Sequence, residues 1–120
     1  MARILIVDSY PFVRELLSEE LVCEGNMVVA LGKPELIHEL IDSFNPDVVV
    51  LDLFLDGKIR WSVLEKIKKQ NPHVPVLIFT GSLLHGDPRL SLAQGFVTKS
   101  FAFAEVKQNI SAILDRVAFA

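Results

Sequence analysis

Residues 3–11 read RILIVDSYP, and this stretch decides the fold. Its first five residues form a mostly apolar run, rich in branched side chains, which is typical of a strand covered on both faces. The run ends at Asp8, and Ser9, a turn and Pro11 follow. A buried strand that ends on a carboxylate calls for an explanation. Asp8 is either a turn residue that leads into the first helix or one member of a polar site.

Further apolar runs predict strands at 27–31, 47–51, 74–79 and 96–98. Amphipathic stretches alternate with the strands and predict helices at 11–24, 34–44, 61–70 and 102–118, with a short helix at 86–95 capped by Asp87. This alternation predicts a parallel sheet with right-handed crossovers, so the expected fold class is α/β, a doubly wound five-stranded sheet. We expect a single domain over residues 1–120, since no linker or low-complexity tract interrupts the pattern.

The composition disfavours several classes of function. The chain has 120 residues, 51% of them hydrophobic, and a net charge of −3, so no basic field attracts nucleic acid. No apolar run approaches the ~18 residues of a membrane span, and we see no signal peptide. Cys23 is the only cysteine, which suits a reducing cytosol and predicts a cytoplasmic protein. Its place in a helical pattern favours a packing role over reactivity.

Four of the five predicted strands deliver a polar residue at the carboxyl end, namely Asp8, Asp52, Thr80 and Lys99. In open α/β sheets ligands bind at this edge, near the point where the strand order reverses. Each residue alone has an ordinary explanation: a turn or strand end for the first three, and a solvated surface amine for Lys99. Their recurrence at four strand ends favours one shared site.

The residue types in this set indicate its chemistry. If the first and third strands are neighbours, about 4.8 Å apart, the carboxylates of Asp8 and Asp52 repel each other unless a cation lies between them. Oxygen ligands of this kind suit Mg²⁺. The Thr80 hydroxyl can donate to an anionic oxygen, and Lys99 can bring a positive charge to the same oxygen. The set predicts a phosphoryl-transfer site, in which the protein supplies placement and countercharge.

The chain resembles the receiver domain of two-component response regulators over its full length. The stretches that match are ILIVDSYPFVRELL (4–17), PDVVVLDLFLDG (46–57), WSVLEKIKKQNPHVPVLIFTG (61–81) and AQGFVTKSF (93–101). The resemblance implies a flavodoxin-like (βα)₅ fold with strand order 2-1-3-4-5. It also implies a sensor histidine kinase or a phosphotransfer protein as phosphoryl donor, and a downstream protein or a fused output domain as target.

The resemblance also implies a role for each matching residue. Asp52 matches the phosphoacceptor, and Lys99 matches the lysine that binds the phosphate. Asp8, Asp52 and the backbone carbonyl of Phe54 match the ligands of Mg²⁺. The two switch positions, a hydroxyl and an aromatic ring, are Thr80 and Phe96.

Several positions depart from the family pattern. The family usually has two adjacent acids after the first strand, and Ser9 stands in place of the second, which predicts weak Mg²⁺ binding. Arg60 replaces the usual glycine before the third helix, and Ser100 replaces the proline after Lys99. A cis bond before a non-proline residue costs about 2.5–4 kcal/mol, so we predict a trans Lys99–Ser100 bond. The segment before the fifth strand is short, so the fourth helix and its exit loop should differ from the family.

Ser9 and Asp56 are possible auxiliary residues of the site. Ser9 can hold a metal-bound water or can cap the first helix, and we favour the cap as its structural role. Asp56 stands where the family commonly has a proline. Its carboxylate restores part of the lost negative charge if its loop folds back onto the site.

Three classes of function compete. A phosphorylated receiver is favoured because all three groups nearest the chemistry are present. A pseudo-receiver, which binds proteins without a phosphorylation cycle, is favoured by the departures after the first and fifth strands. Phe96 fits both functions, and it also fits ordinary core packing. An enzyme is disfavoured because the chain has no phosphate-cradling or dinucleotide motif and no metal-ligand spacing among its histidines, which are His38, His73 and His85.

Apolar residues around the fourth helix and the chain end predict a surface for a homodimer or a protein partner. These residues are Leu83, Leu84, Phe103 and Phe119. Phe103 fits the core equally well. We expect neither nucleic acid nor membrane as a partner of this domain, so the output should lie in another protein or in a fused domain.

Overall fold

The computed structural model describes residues 1–81, 86–100 and 102–118, and for 117 and 118 the backbone only. Seven strands occur in this part of the chain, and they are β1 (Arg3–Val7), β2 (Met27–Leu31), β3 (Val48–Leu51), β4 (Phe54–Leu55), β5 (Lys58–Ile59), β6 (Val76–Thr80) and β7 (Gly95–Thr98). Five of them form one parallel sheet in the order β2-β1-β3-β6-β7. Counted along the chain, this is the predicted order 2-1-3-4-5, so the flavodoxin-like α/β fold is confirmed.

Four α-helices occur in the described residues, and they are α1 (Pro11–Cys23), α2 (Ile37–Phe44), α3 (Trp61–Gln70) and α4 (Ala104–Ala118). A 3₁₀ turn over Pro34–Leu36 precedes α2, and a second one spans Pro88–Leu92. None of the helices in the described part of the chain is both long and apolar enough to cross a membrane.

The sheet has a core on each face because successive side chains of a strand point to opposite sides. Ile4 and Ile6 of β1 pack with the buried residues of α1 and α4, and Leu5 and Val7 pack with those of α2 and α3. The strands are therefore apolar throughout, as the sequence predicts. Phe103 is buried in the core on the α1 and α4 side of the sheet. Of its two predicted positions, surface or core, the structure shows the core. Leu83, Leu84 and Phe119 lie outside the described residues.

The fourth predicted helix is wrong in type and length. The segment forms only the 3₁₀ helix Pro88–Leu92, because Ala93 is already extended and β7 begins at Gly95. The Asp87 cap is confirmed, since its side chain accepts a hydrogen bond from the backbone N–H of Arg89 at 2.9 Å. That the fourth helix and its exit loop differ from those of the family stays a prediction, based on the shortness of this segment.

Cys23 does not pack in the core, contrary to the prediction. It is the last residue of α1, and its side chain is exposed. The buried side chains of this helix are Leu17 and Leu21, and Cys23 falls outside the stripe they define.

The sequence analysis did not predict the hairpin of β4 and β5. Phe54 pairs with Ile59 and Leu55 with Lys58 in antiparallel register, so Asp56 and Gly57 form a two-residue loop. Both loop residues have positive φ, 54° and 79°. Asp-Gly is a preferred pair for such a turn, so the signal was present in the sequence.

Candidate functional site

The polar residues at the strand ends are held by the backbone of the neighbouring strands. The N–H of Asp8 donates to Leu31 O at 2.9 Å, and the N–H of Asp52 donates to Val7 O at 2.8 Å. The N–H of Lys99 donates to Thr80 O at 2.8 Å. Each bond continues the parallel ladder by one residue, so the sheet itself brings these residues to one edge.

The side chain of Lys99 lies between the two carboxylates. Its Nζ is 2.6 Å from Asp8 Oδ2 and 2.8 Å from Asp52 Oδ2. Asp8 is 2% exposed and Asp52 is 1% exposed. Buried carboxylates this close require a positive charge nearby. The ammonium group of Lys99 supplies such a charge.

Backbone N–H groups satisfy the second oxygen of each carboxylate. Asp8 Oδ1 accepts a hydrogen bond from the N–H of Tyr10, and Asp52 Oδ1 accepts one from the N–H of Phe54, both at 2.9 Å. Burial nevertheless raises the pKa of Asp8, because desolvation outweighs the opposing contacts with Lys99 and Tyr10. Asp8 is therefore held in a place that disfavours its charged form.

Two residues next to the site were not predicted from the sequence. Lys99 Nζ lies 4.7 Å from the centroid of the Tyr10 ring, a distance at which cation and ring attract each other. Arg14 Nη1 donates to the backbone carbonyl of Asp8 at 2.6 Å. A tyrosine directly after the Asp-Ser pair is a weak signal for the first contact, and the sequence holds no signal for the second.

Ser9 does not cap α1, so the favoured interpretation of this residue is wrong. The N-cap position is Tyr10, one residue later, and no side chain caps the helix there. Ser9 Oγ instead donates to the backbone carbonyl of Phe54 at 3.3 Å. Ser9 therefore contacts the carbonyl that the resemblance assigns to the metal.

The donors at this edge fit a hard cation such as Mg²⁺. Asp8, Asp52 and the Phe54 carbonyl provide oxygen atoms only, and Mg²⁺ takes one or two carboxylates and keeps several waters. Across the described residues, no three His, Cys, Asp or Glu side chains gather closely enough to hold a metal.

The remaining candidates take ordinary structural positions. Thr80 ends β6 and is completely buried. Phe96 is half-buried and packs against the core on the α2 and α3 side. Asp56 is exposed at the hairpin turn, where its carboxylate contacts Arg60 at 3.3 Å, so the structure places its charge beside Arg60. The described residues contain no cis peptide bond, which confirms the trans Lys99–Ser100 bond.

The phosphoacceptor candidate opens to the surface. A depression of about 370 Å³ is lined by Tyr10, Asp52, Phe54, Gly81 and Lys99. Asp52 is thus buried from bulk solvent yet adjacent to space that accommodates a small anionic group.

A parallel sheet of this order, with paired acids and a lysine at its carboxyl edge, defines a class of signalling domain. The family described as "Response regulator receiver domain" matches residues 4–111. The chain therefore belongs to the receiver domain family of two-component response regulators.

Individual relatives agree with this assignment. The chain is 34% identical over 116 residues to the probable transcriptional regulatory protein TcrX of Mycobacterium tuberculosis, covering 94% of this chain and 50% of the relative. It is 32% identical to the response regulator protein TrrA of Thermotoga maritima, solved in complex with Mg²⁺-BeF, with a TM-score of 0.86 over 94% of this chain and 99% of the other. A structure of histidine kinase ThkA in complex with TrrA matches at 34% identity and a TM-score of 0.85, covering 95% and 99%.

The chain spans about half the length of the curated relatives that it matches most fully. TcrX is named a probable transcriptional regulatory protein, and the relative CusR of Escherichia coli is named a transcriptional regulatory protein. The activity of those full-length proteins is not attributed to this chain, which matches about half of their length.

Proposed function

We propose that the chain receives a phosphoryl group on Asp52 and signals through a protein–protein surface. The observation that supports this most strongly is the environment of the Asp52 carboxylate. It is buried at the end of β3, held by the Phe54 N–H and Lys99, and open to a depression large enough for a phosphoryl group. The donor is a phosphorylated histidine of a sensor kinase or of a phosphotransfer protein.

The proposed transfer is a substitution at phosphorus. An oxygen of Asp52 attacks, the bond between phosphorus and the donor nitrogen breaks, and the electron pair of that bond stays on the nitrogen. Lys99 supplies a positive charge to the transferred oxygens, and for this its ammonium must turn from the carboxylates toward the phosphoryl group. After the transfer, the Thr80 hydroxyl donates a hydrogen bond to an oxygen of the phosphoryl group on Asp52.

Mg²⁺ is the proposed cofactor, with Asp8, Asp52 and the Phe54 carbonyl as its protein ligands. When bound, it supplies charge neutralisation to the phosphoryl oxygens. Ser9 lowers the affinity for two reasons: it brings no charge, and its hydroxyl competes for the Phe54 carbonyl. TrrA, solved in complex with Mg²⁺-BeF, supports Mg²⁺ as the cofactor.

The proposed partners and location follow from the family. The ThkA–TrrA complex supports a histidine kinase as donor, and the transcriptional regulators among the relatives support an output domain or protein downstream. The domain acts as a signalling module rather than as an enzyme with a substrate of its own. We propose a cytoplasmic location, in keeping with a kinase-linked relay and a single cysteine. A homodimer is a further possibility for its output surface.

A pseudo-receiver is the second candidate, and one observation favours it. Lys99 already pairs with both carboxylates at 2.6 and 2.8 Å, and Ser9 occupies the Phe54 carbonyl. The ammonium of Lys99 thus offsets one of the two carboxylate charges without a metal. A domain of this kind would keep one conformation and bind its partner without phosphorylation.

Intact-mass spectrometry separates the two candidates. The native chain and the Asp52→Asn variant are incubated with a small-molecule phosphodonor, with and without Mg²⁺. One phosphoryl adduct on the native chain, absent from the variant and from the metal-free sample, is the expected result. A native chain without an adduct at high Mg²⁺, which also fails to bind a stable phosphoryl mimic, would leave the pseudo-receiver.

A further inference from the structure

A second polar cavity lies between α2 and α3, apart from the phosphoacceptor site. Its volume is about 250 Å³, below the roughly 300–1,000 Å³ of sites for drug-sized ligands. Its lining includes the basic residues Arg60, Lys66 and His38 and the hydroxyl residue Ser62. An occupant of this cavity must be small, and the residue types favour a negative charge.

The donors of this cavity have few acceptors within the protein. His38 Nδ1 is buried and has no hydrogen-bond partner. The side chains of Ser62 and Lys66 form no hydrogen bond or ion pair with any other described residue. Arg60 contacts Asp56 at 3.3 Å, but both side chains are substantially exposed, and such pairs contribute little. Ser62 and Lys66 are exposed, so their donors are open to an external anion, whereas the buried His38 Nδ1 is out of its reach.

The backbone adds to the positive character of the cavity. Arg60 is the N-cap of α3, and no side chain caps this helix end, so its first N–H groups lack a side-chain acceptor. The partial positive charge at this helix N-terminus adds to the charge of the basic side chains that line the cavity.

The acids near the cavity reduce this charge without cancelling it. Among the described residues that line it, Glu35 is the one acid. Asp42 lies close enough to raise the pKa of His38, but burial and the charge of Lys66 outweigh it and lower that pKa. Arg60 and Lys66 against Glu35 leave the lining with a net positive charge.

We infer that this cavity binds a small dianion of the phosphate class, either inorganic phosphate or a small phosphomonoester, through Arg60, Ser62 and Lys66, with His38 in its wall. This site is separate from phosphorylation at Asp52 and goes beyond the proposed function. Arg60 also joins the cavity to the β4–β5 hairpin, since its N–H donates to Leu53 O at 2.7 Å.

The test is an NMR titration of the uniformly ¹⁵N-labelled chain in Mg²⁺-free buffer at constant ionic strength. Inorganic phosphate is the first probe, glycerol phosphate the second, and chloride the control for ionic strength. The signals to follow are the amides of 61–63 and the ring of His38, compared with the amides of 52 and 99. The double variant Arg60→Gln/Lys66→Gln removes two donors, and Lys69→Gln, an exposed lysine in the last turn of the same helix, is the matched control.

We expect saturable shifts at 61–63 and His38, with a Kd of about 1 mM or tighter. Affinity should fall at least about tenfold in the double variant and stay unchanged in Lys69→Gln. Tighter binding of glycerol phosphate would assign the site to phosphomonoesters, and equal or weaker binding would assign it to phosphate itself. Absent shifts, equal affinity in all three proteins, or shifts confined to 52 and 99 would overturn the inference.

Discussion

Replacing Lys99 with methionine removes the cation between the two buried acids. Its ammonium lies 2.6 and 2.8 Å from carboxylates that are almost completely buried. Removing one partner of a buried ion pair costs about 3–5 kcal/mol, because the remaining charge stays uncompensated. One of the two acids can relieve this by taking up a proton, which argues for the lower bound. We predict a loss of about 3 kcal/mol in the free energy of unfolding at neutral pH without Mg²⁺.

Lys107→Met is the matched control for this prediction. Lys107 also pairs with two acids, Glu20 at 3.0 Å and Glu24 at 3.7 Å. Both glutamates are about half exposed, so the pair should contribute little to stability. The same substitution thus tests a buried and a solvated lysine in one protein.

The assay is urea unfolding followed by far-UV circular dichroism, with and without Mg²⁺. A ligand that binds only the folded state stabilises it, and Mg²⁺ should replace the missing charge, so Lys99→Met should gain more stability from Mg²⁺ than the native chain. The reasoning fails if Lys99→Met costs no more than Lys107→Met without metal. It also fails if Mg²⁺ stabilises both proteins equally.

Three further predictions concern stability. Burial raises the pKa of Asp8 in the folded chain above its value in the unfolded chain. Without Mg²⁺, the native chain should therefore lose stability as the pH rises from the unfolded-state pKa through the folded-state pKa. Asp8→Asn should lack this pH dependence and be more stable at neutral pH, which urea unfolding from pH 4 to 8 would show. Leu64→Ala should cost about 2–5 kcal/mol because Leu64 is fully buried, whereas Leu16→Ala on the exposed side of α1 should stay within about 0.5 kcal/mol; equal losses in urea would contradict the core. Arg89→Gln should shift the fluorescence of Trp61, the only tryptophan, because the Arg89 guanidinium lies 4.4 Å from its ring, and it should cost little stability because Arg89 is exposed. Unchanged emission would contradict the contact.

The fold could be predicted because the strands of the parallel sheet are apolar runs. The helices between them carry apolar residues at helical spacing. The run RILIV gives β1 with the predicted bounds, and MVVAL gives β2. The type of the helix after Asp87 could not be predicted, because a segment of five residues is compatible with both an α-helical and a 3₁₀ turn. The hairpin at Asp56 and Gly57 could not be predicted from periodicity, because each of its strands has only two residues, and the Asp-Gly pair is its one sequence signal.

The site could be predicted in its members but not in its contacts. Asp8, Asp52, Thr80 and Lys99 follow from their places at strand ends. That the ammonium of Lys99 bridges both acids depends on side-chain conformation, which no sequence pattern encodes. Ser9 shows the same limit, since its cap was argued from sequence proximity, while its hydroxyl contacts a carbonyl 45 residues away.

The most direct test of the account is the Mg²⁺ dependence of phosphorylation on Asp52 in the native chain and in Ser9→Asp. Adduct formation from a small-molecule phosphodonor is followed by intact mass over a series of Mg²⁺ concentrations. The account predicts an adduct in both proteins, with half-maximal formation at about tenfold lower Mg²⁺ in Ser9→Asp, because a second acid adds charge to the metal site. An adduct in neither protein at any Mg²⁺ concentration, or an identical Mg²⁺ requirement in both, would contradict it.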